Sequence, residues 1–333
     1  MAPRIRFADS RLGRVAHASI GSGPPLILDV GWITHLERMW ELAGYRELVE
    51  ALAATHRVLI HDRPGCGLSN RDRTDWSHEA EIEILRTMVA VAGAPVRVFA
   101  ASMAAPTAIA VAAREADAID RLVLHGGTAF GAQLAPPELR TALPALVRSS
   151  WGLGPRVFAE IFFPSEPRET LDWYAALQRD GADAETAARM LELFYDVDVR
   201  DQLANVGVPT LVLHRRDEKA VPASSSIAMA ERIPGAELLL VDGDAHAAYM
   251  GDVQTIADAV ARFLAEGAAN HPLTDREREV AELVSEGLTN AEIGKRLTIS
   301  PRTVESHVGN IREKLDLRSR AQIASWIVAR RAR

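Results

Sequence analysis

The stretch that decides the fold is RVFAASMAA, residues 97–105. Its first half is an apolar run with the character of a strand and its second half opens a helix, so that Ser102 lies at the junction. A sharp turn of this kind needs small residues two before and two after the serine, because the two backbones approach closely there; Ala100 and Ala104 occupy those positions. Taken alone, such a serine is more often a helix N-cap than a nucleophile, so the rest of the chain must decide.

Apolar strands alternate with helices on both sides of this junction. The predicted strands are residues 15–20, 25–30, 57–61, 96–100, 121–125, 209–214 and 237–241. The predicted helices are residues 39–54, 78–92, 102–115, 223–232 and 253–265. Near-continuously apolar strands that alternate with helices are typical of a parallel sheet covered on both faces, and the pattern predicts an α/β fold.

The alternation breaks between about residues 131 and 205, where prolines punctuate helical pieces rich in aromatic residues. An insertion between two strands of an α/β sheet normally lies over the carboxyl ends of the strands, where such folds bind ligands. We therefore predict a helical cap over a ligand pocket. Aromatic residues at helical spacing are more often core than pocket lining, so none of them is assigned to the pocket individually.

Two further polar residues each follow a predicted strand beyond the cap. Asp217 lies just past the strand at 209–214, and His246 lies just past the strand at 237–241. Serine, acid and histidine in this chain order, each at a strand end, is the order of the α/β-hydrolase triad. On these residues, and on the turn DRPGCGLSN at 62–70, the first 266 residues resemble an α/β-hydrolase domain.

The resemblance implies a role for each of five residues. His246 would take the proton of Ser102, and Asp217 would hold the imidazole in the required tautomer. The backbone N–H groups of Trp32 and Met103 would bind the oxyanion.

The sequence departs from the usual pattern of this family in two respects. Ala100 and Ala104 stand where the elbow glycines are usual, and Val30 stands where a histidine is usual before Gly31. Neither departure removes a triad member. Two interpretations follow: a serine hydrolase, or a ligand pocket that keeps the triad as polar lining.

The C-terminal residues carry the pattern of a small all-α domain. Thr274 followed by Glu277 is a capping box that begins one helix. A second short helix is predicted at 291–297, and after a tight connection Ser300 caps a third at 301–315. Two short helices joined by about three residues form a helix-turn-helix.

The third helix is amphipathic, with Val304, Val308, Ile311 and Leu315 on one side and polar residues on the other. Through the patterns Gly-Leu-Thr-Asn-x-Glu-Ile and Ser-x-x-Thr-Val-x-x-His-Val-x-Asn-Ile, the segment from 270 to 333 resembles the LuxR-type DNA-binding domain. The resemblance implies double-stranded DNA as a partner. The residues expected at the DNA are Thr289, Asn290, Ser300, Arg302, Thr303, Glu305, Ser306, His307, Gly309, Asn310, Arg312, Lys314, Arg318 and Arg320.

Base edges and phosphates call for different side chains in this set. Early exposed residues of the third helix, Glu305 among them, are placed to meet base edges, whereas the arginines and Lys314 suit phosphates. Glu305 stands where the family often carries a basic residue. Because a carboxylate accepts from cytosine N4 but is repelled by phosphate, we expect a different base preference and lower nonspecific affinity.

Charge and composition agree with two parts of different character. Residues 269–333 hold 12 basic and 9 acidic side chains, a net charge of +3, whereas the preceding residues hold 26 and 36, a net charge of −10. No run reaches the roughly 18 apolar residues of a membrane span, so we expect a cytoplasmic protein with no membrane partner. The single cysteine, Cys66, cannot form an internal disulfide, and neither metal nor cofactor is predicted.

A chain of 333 residues exceeds the roughly 250 to 300 at which one core stops growing. We predict a hydrolase-like domain at 1–266, a linker at 267–272 and a helix-turn-helix domain at 273–333. By resemblance, the helix at 320–331 with Ile323, Ile327 and Val328 forms a homodimer face, and packing within the domain is the alternative.

The overall prediction is a one-component transcriptional regulator whose α/β-hydrolase-like domain senses a small apolar or acyl-type ligand. A first alternative is an active serine hydrolase with a regulatory DNA-binding tail. A second is a constitutive regulator whose large domain serves only dimerisation.

Overall fold

The computed structural model describes residues 3–115, 117–270, 273, 275–315 and 317–331. The chain divides into two compact units, Met1–Phe263 and Leu264–Arg333. No helix in the described ranges is both long and apolar enough to cross a membrane.

The first unit is built on one eight-stranded sheet. Its strands are β1 (Arg6–Ser10), β2 (Gly13–Ile20), β3 (Pro25–Asp29), β4 (Arg57–His61), β5 (Val96–Ala101), β6 (Ile119–His125), β7 (Thr210–Arg215) and β8 (Glu237–Val241). Their order across the sheet is β1-β2-β4-β3-β5-β6-β7-β8. The β1–β2 and β2–β4 pairs are antiparallel and all other pairs are parallel.

The predicted α/β fold is confirmed, and the seven predicted strands correspond to β2 through β8. Strands β5 and β7 are buried along their whole length, which explains why they are mainly apolar, although Arg97 in β5 and His214 and Arg215 in β7 are also buried. Strand β1 was not predicted, because it is a short edge strand whose residues are mostly exposed and carry little apolar pattern.

Helices cover the sheet, and a separate group forms the cap. The helices around the sheet are α1 (Leu36–Met39), α2 (Ala43–Ala53), α3 (His78–Ala92), α4 (Ala105–Arg114), α9 (Ala223–Arg232) and α10 (Val253–Asn270). Those of the cap are α5 (Pro137–Ser149), α6 (Gly154–Phe162), α7 (Arg168–Gly181) and α8 (Ala184–Asp196). Within the cap, α5 packs against α8 and α6 packs against α7.

Helix α10 extends further than the sequence predicted. It continues to Asn270, whereas an end near residue 265 and a linker at 267–272 were expected. Glutamate and alanine are good helix formers, and the single Gly267 in this stretch costs only about 1 kcal/mol in a helix. Residues 271 and 272 of the predicted linker, and the predicted N-cap Thr274, lie outside the described residues.

After the end of α10, the described residues of the second unit form α11 (Asp275–Ser285), α12 (Asn290–Leu297), α13 (Pro301–Lys314) and α14 (Arg320–Arg331). Their apolar faces meet in one small core that includes Val280, Ile293, Val304, Ile311 and Ile323. This arrangement buries the apolar side of α13 and leaves its polar side in solvent.

Candidate active site and nucleic-acid interface

Ser102 stands on a tight turn between β5 and α4. Its φ of +53° lies in the left-handed region that non-glycine residues rarely adopt. Ala100 and Ala104 are almost fully buried, at 1% and 3% exposure, which explains why only small residues fit at this crossing. Ala104 has a φ of −78°, so the alanine that replaces the second elbow glycine is not in the strained region.

His246 lies in hydrogen-bond contact with the serine. Its Nε2 atom is 2.8 Å from Ser102 Oγ, and both side chains are buried. The histidine belongs to the loop between β8 and α10, and its backbone N–H donates to Phe162 O in the cap at 2.7 Å. The Phe162 ring also packs on the imidazole at 4.9 Å. The structure thus brings together the predicted nucleophile and base.

The acid that contacts His246 is Glu218, so the prediction of Asp217 was wrong. Glu218 Oε2 forms a short hydrogen bond with His246 Nδ1. Strand β7 ends at Arg215, and the turn that follows exposes Arg216 and Asp217 before it directs residue 218 inward.

The second oxygen of this carboxylate is also held. Glu218 Oε1 accepts from Val221 N at 2.8 Å and lies 3.3 Å from His214 Nε2. An acceptor side chain that reaches the N–H three residues onward, just before a helix, resembles an N-cap. This spacing before Pro222 and α9 was the available sequence signal for Glu218.

Electrostatics keep the Glu218 carboxyl ionised. Burial alone would raise its pKa, but the charge of His246 and hydrogen bonds from His214 and His246 outweigh burial and lower the pKa to about 2. Because the folded pKa is depressed, this contribution to stability is present above the ordinary glutamate pKa and is lost as the pH falls toward 2. The carboxylate is therefore charged throughout the neutral range.

The predicted oxyanion turn lies directly against the serine. Gly31 has a φ of +90°, and a Cβ there would come within 2.5 Å of Ala101 O and 3.1 Å of Ser102 Cβ. Asp29 Oδ1 braces this turn by accepting from Gly31 N at 3.0 Å and from Arg63 at 2.9 Å. The next residue, Trp32, and Met103 both line the cavity beside Ser102.

The turn at 62–70 supports the sheet. Asp62 Oδ2 accepts from the backbone N–H groups of Leu36 and Leu68 at 3.1 and 2.9 Å. Cys66 is fully buried, and burial raises the pKa of its thiol to about 12, so it stays protonated at neutral pH. This turn therefore braces the strand ends.

A cavity of about 480 Å³ lies between the cap and the Ser102–His246 pair. Its wall is mainly apolar, and Glu160 and Lys219 are its acidic and basic side chains besides His246. The cap aromatic residues divide into two groups: some line the cavity, whereas Phe163 and Tyr174 pack edge to face at 4.8 Å in the interior. The lining residues include Leu134, Leu139, Leu143, Val157, Phe158, Ile161, Phe162, Leu191, Phe194 and Tyr195.

The apolar wall is anchored to the oxyanion turn. Trp32 Nε1 donates to Gln178 Oε1 of α7 at 2.9 Å, and Gln178 Nε2 donates to Pro155 O of α6 at 2.9 Å. Among the residues whose side chains are described, no cluster of three or more histidine, cysteine, aspartate or glutamate side chains is arranged to hold a metal ion.

In the second unit, α12 and α13 form the predicted helix-turn-helix. Thr289 and Glu292 make a reciprocal capping box at the start of α12, and Ser300 caps α13 by accepting from Thr303 N at 3.0 Å. Thr298, between the helices, has a left-handed φ of +56°. Gly294 allows close approach, since a Cβ there would lie 2.7 Å from Ile299 O.

One face of α13 is exposed to solvent. Its exposed residues are Arg302, Thr303, Glu305, Ser306, Gly309 and Asn310. His307 is half-buried beside them. These residues present donors and acceptors of the kinds that read base edges in a DNA groove.

Three basic residues predicted to bind phosphates also make contacts within the unit. Lys314 Nζ donates to the buried Glu277 at 2.6 Å, and Arg312 Nη2 donates to Arg318 O at 2.8 Å. Arg320 binds Leu288 O and, at 2.8 Å, Asn290 Oδ1. Sequence alone could not distinguish these roles, because a basic side chain at a helix end serves carbonyls and phosphates equally well.

The predicted dimer face of α14 is divided in the same way. Ile323 and Ile327 are buried in the core of the unit, as the packing alternative expects. Val328 is 54% exposed.

Comparison with known proteins covers both units. Residues 21–281 match the model of the alpha/beta hydrolase family, and residues 271–327 match the model of the luxR family of bacterial regulatory proteins. A pimeloyl-(acyl-carrier protein) methyl ester esterase of Xanthomonas campestris is 29% identical over 277 residues, which cover 74% of this chain and 97% of that protein.

Solved structures show the same fold for the first unit. A bromoperoxidase from Bacillus anthracis superposes with a TM-score of 0.70 at 20% identity, over 78% of this chain and 99% of its own. An enol-lactonase from Burkholderia xenovorans superposes with a TM-score of 0.67 at 22% identity, over 78% of this chain and 100% of its own.

Proposed function

Because this chain belongs to the alpha/beta hydrolase family and carries a C-terminal DNA-binding domain of the luxR family, we propose that it is a ligand-responsive transcriptional regulator. In this proposal, α13 enters the major groove of double-stranded DNA, and a small apolar or acyl-type ligand occupies the cavity at Ser102. The observation that carries the proposal is the pairing of an exposed polar recognition face with a separate, largely apolar cavity.

Base reading is assigned to the middle of α13. The exposed carboxylate of Glu305 can accept a hydrogen bond from cytosine N4, and Arg302 can donate to guanine O6 and N7. Arg318 is exposed beyond the end of α13, where a phosphate contact requires no base identity.

We expect Arg318→Ala to weaken binding to all DNA sequences alike, whereas Glu305→Ala changes the order of preferred sequences. Loss of one phosphate contact should reduce the slope of log K against log salt by about 1. Fluorescence anisotropy on a panel of duplexes, at several salt concentrations, measures both effects. A uniform effect of Glu305→Ala would contradict its base-reading role.

The cavity supports a ligand of limited size and low polarity. About 480 Å³ lies within the range of roughly 300 to 1,000 Å³ typical of small-molecule sites. The wall contributes leucine, valine and phenylalanine side chains, with Ser102 and His246 as the polar groups beside the oxyanion turn. This lining suits an aliphatic acyl group whose carbonyl points at the serine.

Ligand control requires the ligand to favour one DNA-binding arrangement over another, since equal affinity for both arrangements shifts nothing. Operator affinity measured with and without a confirmed cavity ligand tests this requirement. Identical affinities would reject the sensing function and leave a constitutive regulator.

The contacts among Ser102, His246 and Glu218 favour a second candidate function, that of a serine hydrolase. His246 would accept the serine proton as Oγ attacks an ester carbonyl, and Glu218 would stabilise the imidazolium. The N–H groups of Trp32 and Met103 would hold the oxyanion, and water would then release the acyl group from Ser102.

We expect a fluorophosphonate probe to label the intact protein once, at Ser102. Oγ attacks phosphorus and fluoride leaves, so intact mass spectrometry detects the adduct without knowledge of the natural acyl group. Ser102→Ala should abolish labelling, whereas Ser149→Ala, at an exposed serine that ends α5, should not change it. No labelling of folded wild-type protein would reject the hydrolase and leave a receptor.

A further inference from the structure

Arg215, the last residue of β7, is a buried arginine whose contacts all converge on one loop. It is 2% exposed. Its Nη1 donates to Ala245 O and Ala247 O, both at 2.8 Å, and its Nη2 donates to Met250 O at 2.6 Å and Asp252 O at 3.0 Å.

That loop is the one that carries His246. It joins β8 to α10 without regular secondary structure. The carbonyls of Ala245 and Ala247 lie on either side of His246 in sequence, so the guanidinium holds the peptide on both flanks of the base. Gly243, at the start of the loop, has a φ of +120°, and a Cβ there would lie 3.1 Å from Arg215 Cδ.

Burial of an arginine costs desolvation free energy, and the hydrogen-bond acceptors of Arg215 are neutral carbonyls. Among the residues whose side chains are described, no carboxylate forms an ion pair with Arg215. Burial lowers the pKa of its guanidinium, but an arginine still remains charged at neutral pH. The four hydrogen bonds offset the desolvation of the guanidinium, and their carbonyls would lose this donor if an apolar side chain replaced Arg215, so the residue holds the path of the loop.

Arg215 also lies three residues before Glu218, whose carboxylate forms a hydrogen bond with His246 Nδ1. The end of β7 therefore positions both partners of the serine. Glu218 follows it directly in the chain, and the Arg215 guanidinium holds the loop that carries His246. A displacement of the imidazole by about 1 Å is enough to cost about 100-fold in rate.

We propose that Arg215 is a positioning residue for the hydrolase reaction, which holds His246 in line between Ser102 and Glu218 by binding the carbonyls that flank it. The inference rests on the second candidate function. Arg215 itself touches no reacting atom in this assignment.

The test compares Arg215→Met, which keeps the volume but removes the donors, with Arg215→Lys, which keeps the charge without the planar fork. Arg46→Met is the matched control, because Arg46 is a half-buried arginine that donates to Trp40 O and Glu41 O at the α1–α2 turn. All variants are made in the full chain. Two readouts are the rate of fluorophosphonate labelling at Ser102 and hydrogen exchange of the amides of the His246 loop.

We expect labelling to slow by about 10- to 100-fold in Arg215→Met and less in Arg215→Lys, with no change in Arg46→Met. Exchange should rise at the amides of His246, Met250 and Gly251, each of which donates a hydrogen bond in the structure. In steady-state hydrolysis of a p-nitrophenyl ester, a third readout, kcat should fall while KM changes little, because Arg215 is not among the residues that line the cavity.

Labelling of Arg215→Met within about three-fold of wild type would overturn the inference. If Arg215→Met does not fold, Arg215→Lys decides: a wild-type labelling rate with unchanged loop exchange overturns the inference. If the wild-type protein is not labelled at all, the hydrolase candidate fails separately. Exchange of the His246 loop then judges the positioning role, which unchanged exchange in Arg215→Met would reject.

Discussion

Glu218→Gln is expected to lower the ester-hydrolysis kcat by about 10,000-fold, while Asp217→Asn leaves it unchanged. The amide cannot stabilise the imidazolium that forms on proton transfer from Ser102, and it allows the wrong tautomer of His246. Asp217 is exposed and has no part in the Ser102–His246–Glu218 contacts, so its charge is dispensable. The measurement is steady-state hydrolysis of a series of p-nitrophenyl acyl esters.

Glu218→Asp distinguishes the need for a negative charge at residue 218 from the need for a side chain of that length. It keeps a carboxylate but shortens the side chain by one methylene, so partial activity is expected. The acid assignment would be wrong if Asp217→Asn were as damaging as Glu218→Gln. For a wild type too slow for turnover assays, the rate of fluorophosphonate labelling replaces kcat in the same comparison.

Gly294→Ala is expected to lower DNA affinity by about 100-fold without affecting labelling at Ser102. The added Cβ would lie 2.7 Å from Ile299 O, a backbone atom that cannot rotate away. Overpacking of this kind costs about 1 to 3 kcal/mol, a large share of the stability of so small a unit. Relief of the clash also has to open the turn between α12 and α13 and displace the recognition helix.

Ser325→Ala is the matched control, because Ser325 is an exposed residue of α14 outside the residues placed at the DNA, and its Oγ donates to Ala321 O of its own helix. Alanine there should stabilise the helix by up to about 0.7 kcal/mol. Anisotropy with a DNA duplex measures affinity, and circular dichroism measures folding. Equal affinity of the two alanine variants would show that the α12–α13 turn does not set the recognition geometry.

Sequence reasoning succeeded where chemistry follows regular periodicity. Ser102 and His246 each follow a strand whose apolar pattern is unambiguous, so their meeting at one sheet edge was predictable. The acid lies on an irregular turn, where one residue separates an exposed carboxylate from a buried one. No periodicity distinguishes Asp217 from Glu218, and the one sequence signal was the three-residue spacing from Glu218 to Val221, just before Pro222 and α9.

Long-range polar contacts could not be predicted from the sequence for a similar reason. Arg215 binds carbonyls 30 to 37 residues further along the chain, and backbone carbonyls leave no mark on the sequence. Likewise, the hydrogen bonds of Arg320 to Leu288 O and Asn290 Oδ1 could not be foreseen from its sequence position. Side-chain identity predicts which groups are available, whereas the folded backbone decides which partner takes them.

The left-handed backbone at Ser102 lowers the stability of the fold in exchange for a hydroxyl at the site of reaction. A non-glycine residue in a sparsely populated backbone region costs about 1 to 3 kcal/mol, and glycine would relieve that strain at this position. A domain kept only as a dimerisation scaffold gains by drifting to glycine there, since the hydroxyl brings it no compensating benefit. Selection can therefore act on residue 102 alone. Among descendants of the chain, retained serine would indicate that the hydroxyl is in use, and replacement by glycine would indicate that it is not.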